Sequence, residues 1–295
     1  MNTAQHTKEL LKKVRTIELK TRGLSEHIFS GEYHSAFKGR GMTFSEVREY
    51  APGDEVRTID WNVTARFGHP FVKVFEEERE LTAMLVADMS GSEDFGTSSM
   101  LKRELITEVC ATIAFSAIKN NDKVGLILFT DKVEKFIPPK KGRTHILRIV
   151  RELLEFRPES TGTDISEALR YLNNVIKKRS IAFLVSDMMD DGYEDALKIA
   201  NRRHDLVVLR TSDARESDLP NVGLVQFADA ETGELRWVNT GSRSVRNAYR
   251  AASLKHQQRT RELLRRSGVD HAVITTEEGY VRPLMRLLKQ RENAR

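Results

Sequence analysis

From Leu81 onward, short apolar runs alternate with longer segments whose apolar residues recur every three or four positions. The runs Leu81–Asp88, Val124–Phe129, Val133–Ile137, Ile181–Ser186, Leu206–Leu209 and His271–Ile274 predict six strands. The segments Met100–Lys119, Thr144–Phe156, Ile165–Lys178, Val245–Arg266 and Val281–Arg291 predict helices. In the first of these, Leu101, Leu105, Val109, Ile113 and Ala117 share one face. Near-continuous Val/Ile/Leu strands separated by amphipathic helices imply an α/β fold with a mostly parallel sheet covered on both faces. One segment breaks the alternation. Leu224–Ala228 and Leu235–Val238 flank the polar Asp229–Glu234, which predicts a β-hairpin over about residues 222–239, inserted after the fifth strand. Its polar tip is expected to project into solvent, where loops tolerate change.

The chain before Leu81 has a different texture. Leu10, Leu11, Val14, Ile17 and Leu19 recur with helical spacing over Thr7–Lys20. Gly39, Gly41, Pro52 and Gly53 then punctuate short segments, which predicts loops and brief strands. Phe71–Glu76 alternates like an edge strand. These patterns divide the chain into an N-terminal helix and segment over 1–79, packed on the core, and an α/β domain over 80–295.

Length and composition narrow the class. A chain of 295 residues is long enough for roughly two domains, and 39% hydrophobic residues exclude disorder for most of it. The single cysteine, Cys110, excludes an intramolecular disulfide and a cysteine-based zinc site. It falls among Ile106, Val109 and Ile113, as a buried core thiol would. The N-terminus has no apolar signal-like run, and no apolar stretch reaches the ~18 residues of a membrane span, so a soluble, cytoplasmic protein is expected. The net charge of +5 is concentrated at the end: Arg246–Arg295 carries twelve Lys/Arg against five Asp/Glu. A basic helical face could serve an acidic partner or nucleic acid. Glu262, Asp270, Glu277 and Glu278 interrupt it and no aromatic ladder accompanies it, so a solvated face is the better reading.

The candidate chemistry lies at strand ends. Asp88-Met89-Ser90-Gly91-Ser92 closes the first predicted strand, and Asp187 closes the fourth. In an open doubly wound sheet of order 3-2-1-4-5-6 those strands are neighbours at the switch point, outside whose carboxyl ends ligands bind. Thr163 adds a hydroxyl just before the helix leading into the fourth strand. Two carboxylates and three hydroxyls form a hard oxygen set suited to Mg²⁺, with water filling the remaining positions. The alternative is ordinary loop capping by the same residues. Enzyme signatures are absent. Lys140–Thr144 has the composition of a phosphate loop without its spacing, and no Gly-x-Ser-x-Gly elbow occurs. A haloacid-dehalogenase-type phosphatase needs a second aspartate where Ser90 stands.

Asp88, Ser90, Ser92, Thr163 and Asp187 together resemble the metal-ion-dependent adhesion site of von Willebrand factor A domains. Further pieces run from Gly39-Arg40-Gly41-Met42-Thr43-Phe44 through Arg48-Glu49-Tyr50-Ala51-Pro52-Gly53-Asp54 and Arg57-Thr58-Ile59-Asp60-Trp61. They continue with Ala65-Arg66, Glu76-Glu77-Glu78-Arg79 and Asp88 through Phe95-Gly96. This composite is similar to the bacterial domain of unknown function 58 family, whose members accompany MoxR-type AAA+ ATPases. The resemblance implies a von Willebrand factor A-like fold and a non-enzymatic, metal-dependent protein–protein interaction module. It implies Mg²⁺, with Mn²⁺ or Ca²⁺ as substitutes, held by Ser90, Ser92 and Thr163 directly and by Asp88 and Asp187 directly or through water. The implied partner is a MoxR-type ATPase or its client, offering an acidic residue to the metal. The alternative is a scaffold without metal that binds through its basic C-terminal helices. One departure stands out: Glu93-Asp94 follow Ser92 where the family usually has methionine. Extra negative charge there would tighten the metal or compete with a partner's carboxylate. Arg48, Asp54, Arg57, Asp60, Arg66 and Glu78 are expected to form either a charged clamp or a partner surface, with Trp61 as a packing anchor.

Overall fold

The computed structural model describes residues 12–21, 33, 36–37, 42–77, 80–97 and 100–293. By compactness the chain divides into Met1–Ala36 with Thr82–Arg295, and Phe37–Leu81. Within the larger unit, helix α1 (residues 12–21) is tied by Lys20 to Glu108 at 2.6 Å and by Glu18, whose Oε1 accepts from Arg143 Nε at 2.7 Å. In the smaller unit, β1 (Met42–Glu49) pairs antiparallel with β2 (Phe71–Glu77) around helix α2 (Trp61–Phe67).

Several charged residues of the smaller unit satisfy one another locally. Arg48 grips Asp54 with two bonds of 2.7 Å. Asp60 caps α2 through Asn62 N and Val63 N, and its other oxygen lies 3.3 Å from Lys73. Glu78, like Gly39–Gly41 and Arg79, lies outside the described residues. Trp61, expected as an anchor, is exposed.

The core of the larger unit is a six-stranded sheet. Its strands are β3 (Thr82–Asp88), β4 (Lys123–Phe129), β5 (Val133–Lys140), β6 (Ile181–Ser186), β7 (Asp205–Ser212) and β10 (Asp270–Thr275). The spatial order is β10-β7-β6-β3-β4-β5, parallel except for β5, which runs antiparallel at one edge. This is the expected 3-2-1-4-5-6 order. Strands β3, β4, β6 and β7 are buried on both faces, which is why their sequences show runs rather than alternation.

Helices α5 (Ile165–Val175), α6 (Glu194–Arg203) and α7 (Arg243–Arg266) cover one face through Leu169, Leu172, Leu197 and Leu264, packed with Val86, Phe129, Leu184 and Val208. On the remaining side α3 (Lys102–Lys119) packs on β3 and β4 and against α4 (Arg143–Glu155), while α8 (Val281–Asn293) packs on β10. Cys110 is fully buried in α3, and burial pushes its thiol up to about 12. The inserted hairpin is present as β8 (Leu224–Ala228) and β9 (Leu235–Asn239). No described helix is long and apolar enough to cross a membrane.

Candidate functional site

Parallel pairing of β3 with β6 sets the site. Ala87 stands opposite Val185, so Asp88 and the Ser186-Asp187 pair leave the sheet side by side. Ser186 Oγ donates to Asp88 Oδ2 at 2.6 Å, and Ser90 N donates to Oδ1 at 3.0 Å. The Ser90 and Ser92 hydroxyls lie 3.2 Å apart; the first also bonds Asp88 and the second Asp187. Four of the five residues singled out in the sequence thus form one hydrogen-bonded cluster. Directly after Asp187 the chain turns through Met188 at φ 63, a left-handed conformation that costs a non-glycine residue about 1–2 kcal/mol. Its N–H is held by Ser186 Oγ at 3.0 Å, and Met189 N donates to Asp187 Oδ1 at 3.0 Å, so the turn fixes that carboxylate.

The fifth residue, Thr163, arrives on a neighbouring loop. Gly91 N donates to Thr161 O at 2.9 Å, joining that loop to the serine turn, and Asp164 caps α5 through Glu167 N. Thr163 Oγ1 donates to Glu231 Oε1 at 2.8 Å. Glu231 comes from the hairpin tip, so the tip does not simply project into solvent as expected: it is anchored on this loop.

Charge is densely packed here. Asp88, Glu93 and Asp187 each place a carboxylate oxygen within 4.8 Å of the others, and all three are buried. Lys102 Nζ, also fully buried, lies 2.8 Å from Asp187, 3.8 Å from Glu93 and 2.6 Å from Glu216. Burial pushes Asp88 up to about 7, with the Asp187 charge adding to the effect. Burial likewise drives Glu93 well up, although the Lys102 charge pulls it back. Burial would raise Asp187 too, yet the Lys102 ammonium and the Ser92 hydroxyl hold it below the usual carboxylate range. Lys102 itself is raised, because Glu93, Asp187 and Glu216 outweigh the cost of burying its charge.

Three carboxylates therefore share the Lys102 ammonium, and Asp88 beside them makes no ion pair among the described residues. Buried charge must be compensated or removed by protonation, and a divalent cation among these hard oxygens would compensate it. Asp88 and Asp187 as anionic donors, with Ser90, Ser92 and Thr163 as neutral ones, fit Mg²⁺, Mn²⁺ or Ca²⁺. The structure places Glu93 beneath the site, accepting from Asp187 N at 3.0 Å and Thr211 Oγ1 at 2.9 Å. Sequence reasoning noticed Glu93 only as a departure and missed Lys102 and Glu231. A cavity of about 300 Å³ opens beside Asp187, lined by Arg210, Ser217, Tyr249, His256 and Gln257. The Arg210 guanidinium makes no ion pair or hydrogen bond among the described residues, although Glu216 and Asp187 are near enough for their charges to act on it.

A mixed sheet of this order, covered by helices and carrying Asp-x-Ser-x-Ser at the end of its first strand, defines a von Willebrand factor A-like α/β protein. The chain belongs to the family described as "Protein of unknown function DUF58", whose model matches residues 46–259. It is similar to the uncharacterized protein Rv1480 of Mycobacterium tuberculosis, at 28% identity over 94% of this chain and 88% of that protein. Among solved structures it resembles an aerotolerance-related membrane protein from Bacteroides fragilis, at 15% identity and a TM-score of 0.50, over 73% of this chain and all of that one. The von Willebrand factor A domain of SpRpn10 aligns with 45% of this chain and 76% of its own, at 13% identity and a TM-score of 0.35.

Proposed function

We propose that this chain is a metal-dependent protein–protein interaction module, the adaptor of a MoxR-type AAA+ ATPase. In this reading Mg²⁺ is held by Asp88, Ser90, Ser92, Thr163 and Asp187, and a partner Asp or Glu reaches the site from outside. The observation that carries it is the buried Asp88–Asp187 pair with serine hydroxyls beside them, of which only Asp187 has a basic partner among the described residues. When bound, the cation supplies an electrophile that attracts a carboxylate. The protein's own residues orient that encounter: Lys102 and the Met188 turn fix Asp187, Ser186 fixes Asp88, and Arg210 adds a cation beside the same opening. The reading assigns no catalytic residue. The ATPase as partner rests on the family resemblance.

The alternative scaffold reading would use the basic C-terminal helices, where some of the charge is engaged locally. Arg250, Arg259 and Arg266 face Asp218, Asp191 and Glu262, and the buried Arg291 is held by Asp205 and Asp270. The test is capture of a MoxR-type ATPase or its client by the full chain, with and without chelator. Chelator should weaken the complex, and Ser90→Ala with Ser92→Ala should do the same without lowering the melting temperature. A complex indifferent to both removes the metal from the mechanism.

A further inference from the structure

The hairpin tip is built to present one carboxylate. Asp229 Oδ1 accepts from Glu231 N at 3.1 Å, Thr232 N at 2.8 Å and Thr232 Oγ1 at 2.9 Å, and Asp229 N donates to Glu234 O at 2.9 Å. This tip is preorganised, so ordering it on the site costs little further entropy. Two bonds then dock it: Thr161 Oγ1 donates to Glu231 O at 2.6 Å, and Thr163 Oγ1 donates to Glu231 Oε1 at 2.8 Å. Gly91, in the middle of the Asp-x-Ser-x-Ser turn, lies so close to the Ala230 carbonyl that any Cβ at position 91 would collide with it. The glycine at that position is what admits the tip.

The charge is the unexpected part. Glu231 is half-buried and makes no ion pair with a basic side chain among the described residues. The charges that act on it come from Asp187, Asp229 and Asp190. A carboxylate lodged among like charges is unfavourable unless it takes up a proton or a cation joins them.

We propose that Glu231 is the chain's own acidic ligand for the cation. This rests on the metal reading above and adds its regulation: the hairpin tip fills the place that an external carboxylate must take. Partner binding then requires the tip to leave, and apparent affinity for the partner falls by the fraction of molecules with the tip undocked.

The experiment uses the full chain and Mg²⁺ alone as probe, read by calorimetry and by hydrogen exchange of the amides at 229–234. In the wild type, Mg²⁺ should slow exchange at the tip. Glu231→Gln, which keeps the shape and removes the charge, should lose that protection and weaken Mg²⁺ binding by at least about tenfold, since even an outer group supporting a metal ligand is worth about ten- to a hundredfold. Glu234→Gln, three residues along and exposed, should behave as the wild type. Equal Mg²⁺ affinity and equal tip protection in Glu231→Gln would overturn this inference and leave the metal site standing. A wild-type chain that binds no Mg²⁺ or Mn²⁺ would overturn both.

Discussion

Lys102→Met removes the buried ammonium from the centre of the site while keeping a similar volume. Lys102 is fully buried and holds Asp187 at 2.8 Å, with Glu93 at 3.8 Å; both acids are themselves buried, whereas Glu216, at 2.6 Å, is partly exposed. Removing one member of a buried ion pair leaves an uncompensated charge and costs roughly 3–5 kcal/mol. Two buried acids lose their partner here, while protonation of Glu93, already driven up by burial, relieves part of the strain. The loss should therefore sit near the lower end of that range, about 3 kcal/mol. At about 2–4 °C per kcal/mol for a chain of this size, the melting temperature in chelator should fall by roughly 10 °C. Mg²⁺ should then stabilise the variant more than the wild type, because the cation replaces the missing charge, and the gain follows the logarithm of free Mg²⁺. Thermal melts in chelator and across a Mg²⁺ series measure both. A loss under about 1 kcal/mol would show that Lys102 does not carry the charge balance. An identical Mg²⁺ response in the two proteins would show that cation and ammonium do not share a site.

Two further outcomes follow from the core. Burial, helped by Arg203 and Arg179, lowers His204 to about 4, and its Nδ1 accepts from Ser180 N at 3.3 Å. Its folded value lies below the unfolded ~6.5, so the stability it contributes is present above pH 6.5 and is lost as pH falls toward 4. That loss is up to roughly 3 kcal/mol, and His204→Gln should flatten it in urea denaturation; an unchanged pH dependence would refute the assignment. Cys110, fully buried with its thiol pushed up to about 12, should react with an aromatic disulfide reagent only at the rate of global unfolding, and rapid labelling in native buffer would contradict its core position.

The sheet was legible because its four central strands are buried on both faces and therefore appear as uninterrupted apolar runs. The same regularity made the Asp88–Asp187 neighbourhood predictable, since strand order alone brings the two strand ends together. What escaped has physical reasons. Helix α6 buries only Ala196, Leu197 and Ala200, too narrow a stripe to register as helical periodicity. Helix α2 has no buried residue, and its limits are set by local chemistry, with Asp60 capping its start and Gly68 at φ 75 ending it. Glu231 meets Thr163 across 68 residues and Glu93 meets Thr211 across 118, so no local pattern announces either contact. Lys102 reads as an ordinary helix-start lysine until the fold surrounds it with carboxylates.

The central claim is that Asp88, Ser90, Ser92, Thr163 and Asp187 make one cation site. Calorimetric titration of Mg²⁺ into the metal-free full chain, beside Asp88→Ala, tests it most directly. The account predicts a single site in the wild type and no detectable binding in the variant, with both proteins folded by circular dichroism. Mg²⁺ affinity that survives Asp88→Ala unchanged would contradict it.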